Sequence, residues 1–215
     1  MVTPRHLAYH FTHISNLTGI LEVGELRCDA LVEASGVLAT ETADPELKER
    51  RRRFPVPCGP GGCLANYVPF YFAPRSPMLL RVATGRVPNY SEGQDPLVFV
   101  VVDADLVATQ YPVVMTDGHP VALLSTFFTD PAEFDARLDW QVMNATHWAD
   151  TDANGDRMRR RQAELLVLHH IALGDTLGLA CRTEATKLAV EQLLDASDRS
   201  MRVEVRPSFY YEGKP

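Results

Sequence analysis

The sequence runs to 215 residues, the size of one ordinary domain spanning 1–215, or at most two small ones. Hydrophobic residues make up 46% and charged residues 23%, which excludes disorder of the whole chain. The formal charge is -7, from 21 basic and 28 acidic residues, and as a bulk figure it argues against a nucleic-acid partner. The longest apolar run, Leu97–Val102, has six residues, too few for a membrane helix. Met1 to Tyr9 lacks an apolar h-region, so no secretory signal is read there and a cytoplasmic location is expected. The four cysteines, Cys28, Cys58, Cys63 and Cys181, have neither CxxC spacing nor neighbouring ligands for zinc. They read as free thiols of a reducing compartment.

In chain order, Ala8 to Phe11 reads as a first strand. Ser15 or Asn16 then caps a helix with Leu17, Ile20 and Leu21 on one face, closed by Gly24. Cys28 to Thr42 has weak periodicity and reads as a loop. Asp44 caps a charged helix that ends in four arginines, with Pro45 at its first position and Pro55 and Pro57 beyond its end. A turn-rich stretch around Gly59–Gly62 precedes an aromatic strand, Tyr67 to Phe72. Ser76-Pro77 opens another helix, Met78 to Thr84. Leu97 to Asp103 is the strongest strand signal, and Tyr111 to Met115 is a second β-rich segment. Two short helices are expected between Asp130 and Ala149, and a strand from Glu164 to His169. Leu177–Cys181 and Arg202–Val205 read as edge strands around a helix from Thr183 to Asp195. The unequal spacing favours an α+β domain over a doubly wound sheet. No Rossmann GxGxxG or P-loop pattern is present.

Four constellations carry chemical potential. In Tyr9-His10-Phe11-Thr12-His13, strand alternation puts His10 and Thr12 on one face, where they can hold a ribose or an amide. The block Arg50–Arg53 fans around its helix, so the four cannot serve one partner and at least one should point inward. The alternative is a solvated helix end. Tyr67 and Tyr71 share a strand face that is either core or a wall for a planar ring. Glu164 follows Arg159-Arg160-Arg161 and opens an apolar strand, where a carboxylate is costly unless paired or used. Asp150, Asp152 and Asp156 lack the glycine and terminal glutamate of a calcium loop and read as solvated, so no metal site is expected.

Together these motifs resemble the DarT family of bacterial DNA ADP-ribosyltransferase toxins. The carrying residues are Tyr9-His10-Phe11-Thr12-His13 with Asn16-Leu17, then Glu49-Arg50-Arg51, and Gly61-Gly62 leading to Tyr67-Val68-Pro69-Phe70-Tyr71. Arg75-Ser76-Pro77-Met78, Thr116-Asp117-Gly118-His119, His147-Trp148 and Gln162-Ala163-Glu164 follow in the same order. The resemblance implies an ADP-ribosyltransferase-like α+β fold, two short crossed β-sheets around an NAD cleft with flanking helices. It also implies transfer of ADP-ribose from NAD to a base in single-stranded DNA, thymine in most members and guanine in a related branch. The partner it implies is a macrodomain antitoxin of the DarG type, and the chain is expected to act as a monomer.

By residue, the resemblance places His10, Tyr71 and Glu164 in the NAD site with Arg51 as the essential arginine. Glu164 is the expected catalytic carboxylate, stabilising the ribosyl cation and taking a proton. Arg51 is expected to bind the diphosphate or help activate the base. His10 and Thr12 would hold a ribose or the nicotinamide amide, Tyr71 would stack on nicotinamide, and Asn16 and His13 are further NAD-pocket candidates. Tyr67, Arg75, Met78, His119, His147, Trp148 and Arg160 are the expected DNA contacts. Four consecutive arginines, Cys58 and Cys63 depart from the family pattern. Transfer to RNA or protein, and an NAD-sensing module without turnover, are the competing readings. The bulk charge also divides: residues 44–53 carry five basic and three acidic groups, and residues 156–161 four and one. Positive charge is thus expected beside Arg51 and Glu164, with the remainder acidic.

Overall fold

The computed structural model describes residues 6–36 and 39–212. It opens with strand β1 (Leu7–His13) and, after a 3-10 turn, helix α1 (Leu17–Val23). Gly24 ends α1 in the left-handed conformation, at φ 83°. Strand β2 (Glu25–Arg27), helix α2 (Asp29–Ser35) and helix α3 (Pro45–Arg53) follow. Next come β3 (Tyr67–Tyr71), α4 (Pro77–Ala83), β4 (Leu97–Asp103) and α5 (Ala104–Gln110). Strands β5 (Val113–Thr116) and β6 (Phe127–Phe128) form a hairpin, and three short helices follow. These are α6 (Phe134–Arg137), α7 (Trp140–Met143) and α8 (Arg157–Arg160). The chain closes with β7 (Glu164–Leu168), β8 (His170–Ala172), β9 (Gly178–Cys181), α9 (Glu184–Ala196) and β10 (Val203–Val205).

Eight strands share one sheet in the order β10-β9-β4-β1-β3-β7-β5-β6, and β2 pairs β8 in a second. The arrangement is the expected α+β class. The large sheet is two well-paired halves. β1 and β4 align over seven residue pairs, and β3 and β7 over five. Between the halves, β1 and β3 meet at a single pair, Tyr9 and Tyr71. The sheet therefore opens at its centre, where a cleft can enter.

Hydrophobic burial joins the two halves. Ala8, Val68, Val98, Val100, Leu165 and Val167 pack in the main core under α1 and α9. Leu97, Phe99 and Ala180 face the other way onto Leu79, Val82 and Tyr210. The near-continuous apolar run of β4 is explained by this burial on both faces.

Some sequence expectations are corrected. The stretch read as a loop contains α2, which has no buried residue. An element without an apolar face leaves no periodicity to detect. β9 is not an edge strand, since it lies between β10 and β4. Asn16 occupies the α1 cap position but makes no capping bond there, because its amide is used elsewhere. The caps at Asp44, Ser76 and Thr183 are as expected, each side chain accepting from the first turn.

Leu165 is fully buried in the main core. Leu165→Ala is expected to lower stability by about 2–5 kcal/mol, measured by urea denaturation at neutral pH.

Candidate active site

The strand register fixes the centre of the site. Tyr71 of β3 stands opposite Tyr9 of β1 on one side and Glu164 of β7 on the other. Three strands thus bring two tyrosines and a carboxylate into one row at the opening of the sheet. The Glu164 side chain is 0% exposed. Its backbone N–H donates to the Thr116 hydroxyl at 3.1 Å, and that hydroxyl donates to the Gly118 carbonyl at 2.8 Å.

A buried carboxylate needs a cation, and Arg51 supplies it. Arg51 Nη1 lies 2.9 Å from Glu164 Oε2 and 3.1 Å from Oε1. Burial raises the Glu164 pKa, and the Arg51 charge and hydrogen bonds oppose that rise. The second arginine nitrogen, Nη2, is buried without a hydrogen-bond partner among the described residues. A donor kept dry in this way is costly and is suited to an incoming acceptor.

Above this row lies a cavity of about 260 Å³, lined among others by His10, Thr12, Asn16, Lys48, Arg51 and Tyr71. His10 Nδ1 is 2.8 Å from the Pro69 carbonyl, which can only accept. Nδ1 therefore carries the proton and Nε2 is an acceptor. Burial, aided by Arg51, pushes the His10 pKa down to about 4, so the ring is neutral at physiological pH. Thr12 accepts a hydrogen bond from Asn16. The Asn16 amide also donates to the Thr40 carbonyl, while its oxygen accepts from the Ala39 and Thr40 N–H groups. Asn16 lines the cavity, but its hydrogen bonds pin the 39–40 segment over it.

His13, expected in the NAD pocket, lies elsewhere. It sits on the opposite strand face against the edge of Tyr90, with Nδ1 accepting from Ser15.

Helix α3 carries Arg51 and buries no residue of its own. Charges hold it in place. Asp44 caps its start and also pairs with Arg81 of α4. Lys48 is gripped by Asp29, at 2.6 Å, and by Glu41. Arg52 reaches Glu33 of α2 at 3.0 Å. Sequence reasoning missed Asp44, Lys48 and Arg81 as a clamp. Their partners are distant in the chain, and only the cap signal at Asp44 was legible.

The expected DNA contacts divide. Met78 lines the cavity. His119 is half-buried beside Arg51 and Arg50, and burial with these charges pushes its pKa down to about 4. His147 is exposed. Arg75 is half-buried, and its guanidinium has no ion-pair partner among the described residues. Three others are corrected. Tyr67 borders the same cavity, but it is only 1% exposed and its hydroxyl is used by the Gly61 carbonyl. Trp148 is buried, and its indole N–H donates to Tyr211. Arg160 is consumed by Asp139, Asn154 and Asp156.

The basic cluster before Glu164 is likewise built into the fold. Arg159 pairs with Asp117 and Asp156. Arg161 is 2% exposed and donates to the carbonyls of Arg75, Val142, Met143 and Ala145. It gathers the Arg75 turn and the 142–145 segment around the start of β7. Among the described residues no group of three or more His, Cys, Asp or Glu could hold a metal ion.

A split sheet with histidine, tyrosine and glutamate on three strands, the first two lining one cavity and the third bonded to an arginine that lines it, is the arrangement of an NAD-dependent ADP-ribosyltransferase. Residues 9–211 match the family described as "DarT: ssDNA thymidine ADP-ribosyltransferase, DarT", and the chain belongs to it. A DNA ADP-ribosyl transferase of Thermus sp. (strain 2.9) is 36% identical over 206 residues, covering 94% of this chain and 95% of the relative. The structure of Thermus sp. 2.9 DarT in complex with ADP-ribosylated ssDNA is similar, with a TM-score of 0.89 and 34% identity. It covers 98% of this chain and 99% of that chain. The same Thermus protein in complex with NAD+ gives a TM-score of 0.82 and 33% identity, over 98% of this chain and 100% of that one.

Loss of the Arg51 charge leaves the burial of Glu164 unopposed, so its proton is held to higher pH. Arg51→Gln is therefore expected to move the acid limb of the pH–rate profile upward, measured as kcat from about pH 4 to 9. An unmoved limb would assign it to another group.

Proposed function

We propose that this chain transfers ADP-ribose from NAD to thymine in single-stranded DNA and that Glu164 and Arg51 carry the reaction. The observation that supports this most directly is the buried Glu164 carboxylate, opposite Tyr71 at the opening of the sheet and beneath Arg51. In the reaction the bond from ribose C1′ to the nicotinamide nitrogen breaks, and nicotinamide leaves with the electron pair. The ribose passes through an oxocarbenium-like state, which a nearby carboxylate stabilises. Thymine N3 then bonds to C1′, and its proton passes to Glu164. That nitrogen has a pKa near that of tyrosine, so the proton must leave as the new bond forms. Burial raises the basicity of Glu164 toward this task.

Arg51 lines the cavity and is held by the Glu164 carboxylate, which favours a role in activating the base over binding the diphosphate. The unpartnered Nη2 is the donor for a carbonyl oxygen of thymine. A planar guanidinium suits simultaneous contact with a carboxylate and a base. His10 Nε2 would accept from a ribose hydroxyl, with Thr12 beside it. Tyr71 would stack on nicotinamide. Asn16 would act through the segment it pins rather than by touching NAD. His119, Arg75 and Met78 are the DNA contacts that their positions support best.

We propose further that the chain works as a monomer in the cytoplasm, as the toxin of a pair with a macrodomain antitoxin of the DarG type. All the groups invoked above come from one chain, and the resemblance to toxin families supports the partner.

Glu164→Ala is expected to abolish transfer of label from NAD to a thymine-containing oligonucleotide. Activity retained above about a few per cent of wild type would remove Glu164 from the proton-transfer role. Arg51→Ala should cut kcat by about a hundredfold or more, and a change confined to the NAD KM would make it a binding residue only. Mass spectrometry of homopolymer and mixed oligonucleotides after incubation with NAD, beside RNA and protein pools, tests the acceptor. Label on RNA or protein alone would overturn the DNA assignment.

A further inference from the structure

Leu123 is 99% exposed and Leu124 71%, more than any other large hydrophobic side chain among the described residues. They sit at the tip of the loop joining β5 to β6. Clusters of exposed apolar side chains mark contact sites more often than single ones do. This tip is also firmly built. Asp117 accepts from the Thr126 N–H at 2.9 Å and from its hydroxyl at 2.8 Å. Arg159 reaches across to Asp117 at 3.0 Å and to the Ser125 hydroxyl at 3.1 Å. The Ser125 hydroxyl donates to the His119 carbonyl, and a Cβ at Gly118 would collide with the Arg159 guanidinium. The fold spends several polar side chains to hold two leucines in water.

The root of the loop belongs to the catalytic centre. Thr116 joins the Glu164 backbone to the Gly118 carbonyl, and His119 feels the charges of Arg51 and Arg50. Val121 packs in one cluster with Phe54, directly after α3, and with Phe127. Arg50 is exposed with no ion-pair partner among the described residues. An apolar tip and a free cation beside the acceptor corner match the two needs of a bound single strand, base contact and phosphate contact.

We infer that Leu123 and Leu124 form an apolar wedge that parts the acceptor thymine from its neighbouring base. The inference rests on the reading of the chain as a modifier of single-stranded DNA. Adjacent bases in a single strand stack, and the reacting nitrogen must leave that stack to reach C1′ of the ribose. Leucine is among the side chains that insert between base steps, and unstacking is a cost that enzymes acting on bases must meet. Arg50 would hold the phosphate beside the opened step.

The test compares wild type, Leu123→Ser with Leu124→Ser, and Leu123→Met with Leu124→Met. The substrates are a thymine flanked by adenines and the same strand with abasic sites in place of those adenines. The serine pair is expected to lose about tenfold or more in kcat/KM on the adenine-flanked strand. It should match wild type on the abasic strand, where nothing needs unstacking. The methionine pair, which keeps the apolar bulk, should match wild type on both. Melting temperature and NAD affinity should be unchanged in all three proteins. Equal rates for the serine pair and wild type on the adenine-flanked strand overturn the wedge. So does an equal deficit on both strands, which would make the tip a general DNA contact. Absence of modification by wild type on either strand would instead refute the DNA reading itself.

Discussion

A carboxylate sealed from water is the condition around which the cleft is arranged. Glu164 enters the core at the start of β7 because the register with β3 leaves it no other place. A negative charge there requires a cation against it. Arg51 must therefore lie over the opening between β1 and β3, which fixes where α3 runs. The ties on α3 follow from that, with Asp44 to Arg81 at one end and Lys48 and Arg52 to the α2 side along its length. The segment ahead of it is pinned by Asn16, which grows out of the same β1 turn that presents His10 and Thr12. Roof, floor and wall of the cavity are thus set by one electrostatic requirement.

Arginine does three different jobs near this centre. Arg161 is a buried organiser whose donors are spent on backbone carbonyls, and burial lowers its pKa to about 10. Arg159 and Arg160 are braces paired with acidic partners. Arg50 remains open to a ligand, and Arg51 is shared between the protein and whatever enters. The positive charge that the sequence places beside the active site is therefore mostly neutralised inside the fold. An acidic chain can serve a nucleic-acid substrate here because a few cations are left open at the cleft, while the rest of the surface repels phosphate.

Much of the scaffold was legible, for identifiable reasons. β4 announces itself as a doubly buried apolar run, and α3 by Asp44, Pro45 and the prolines beyond it. The His10 and Thr12 face follows from strand alternation, and both residues do line the cavity. β2 and β8 were missed because three residues are too short for a period. α5 was missed although Asp103, which accepts from the Leu106 N–H, was an available cap signal. The errors at Tyr67, Trp148 and Arg160 share one cause. Residue type tells what a side chain can bind, but Gly61, Tyr211 and Asp139 had already claimed them, and folding alone reveals such partners. The Asp117–Arg159 brace that sets up the leucine tip was hidden in the same way.

Since no residue of α3 belongs to a hydrophobic core, its outer face is free to vary without any penalty in the cores on either side. The strands that present Glu164, Tyr71 and His10 answer to a different demand, the packing of a sheet buried on both faces. Inheritance can thus act on the two separately. A lineage could alter how the cosubstrate is enclosed by exchanging charges along one helix while its sheet stays fixed. The catalytic carboxylate would change least of all, because its burial couples it to both parts at once.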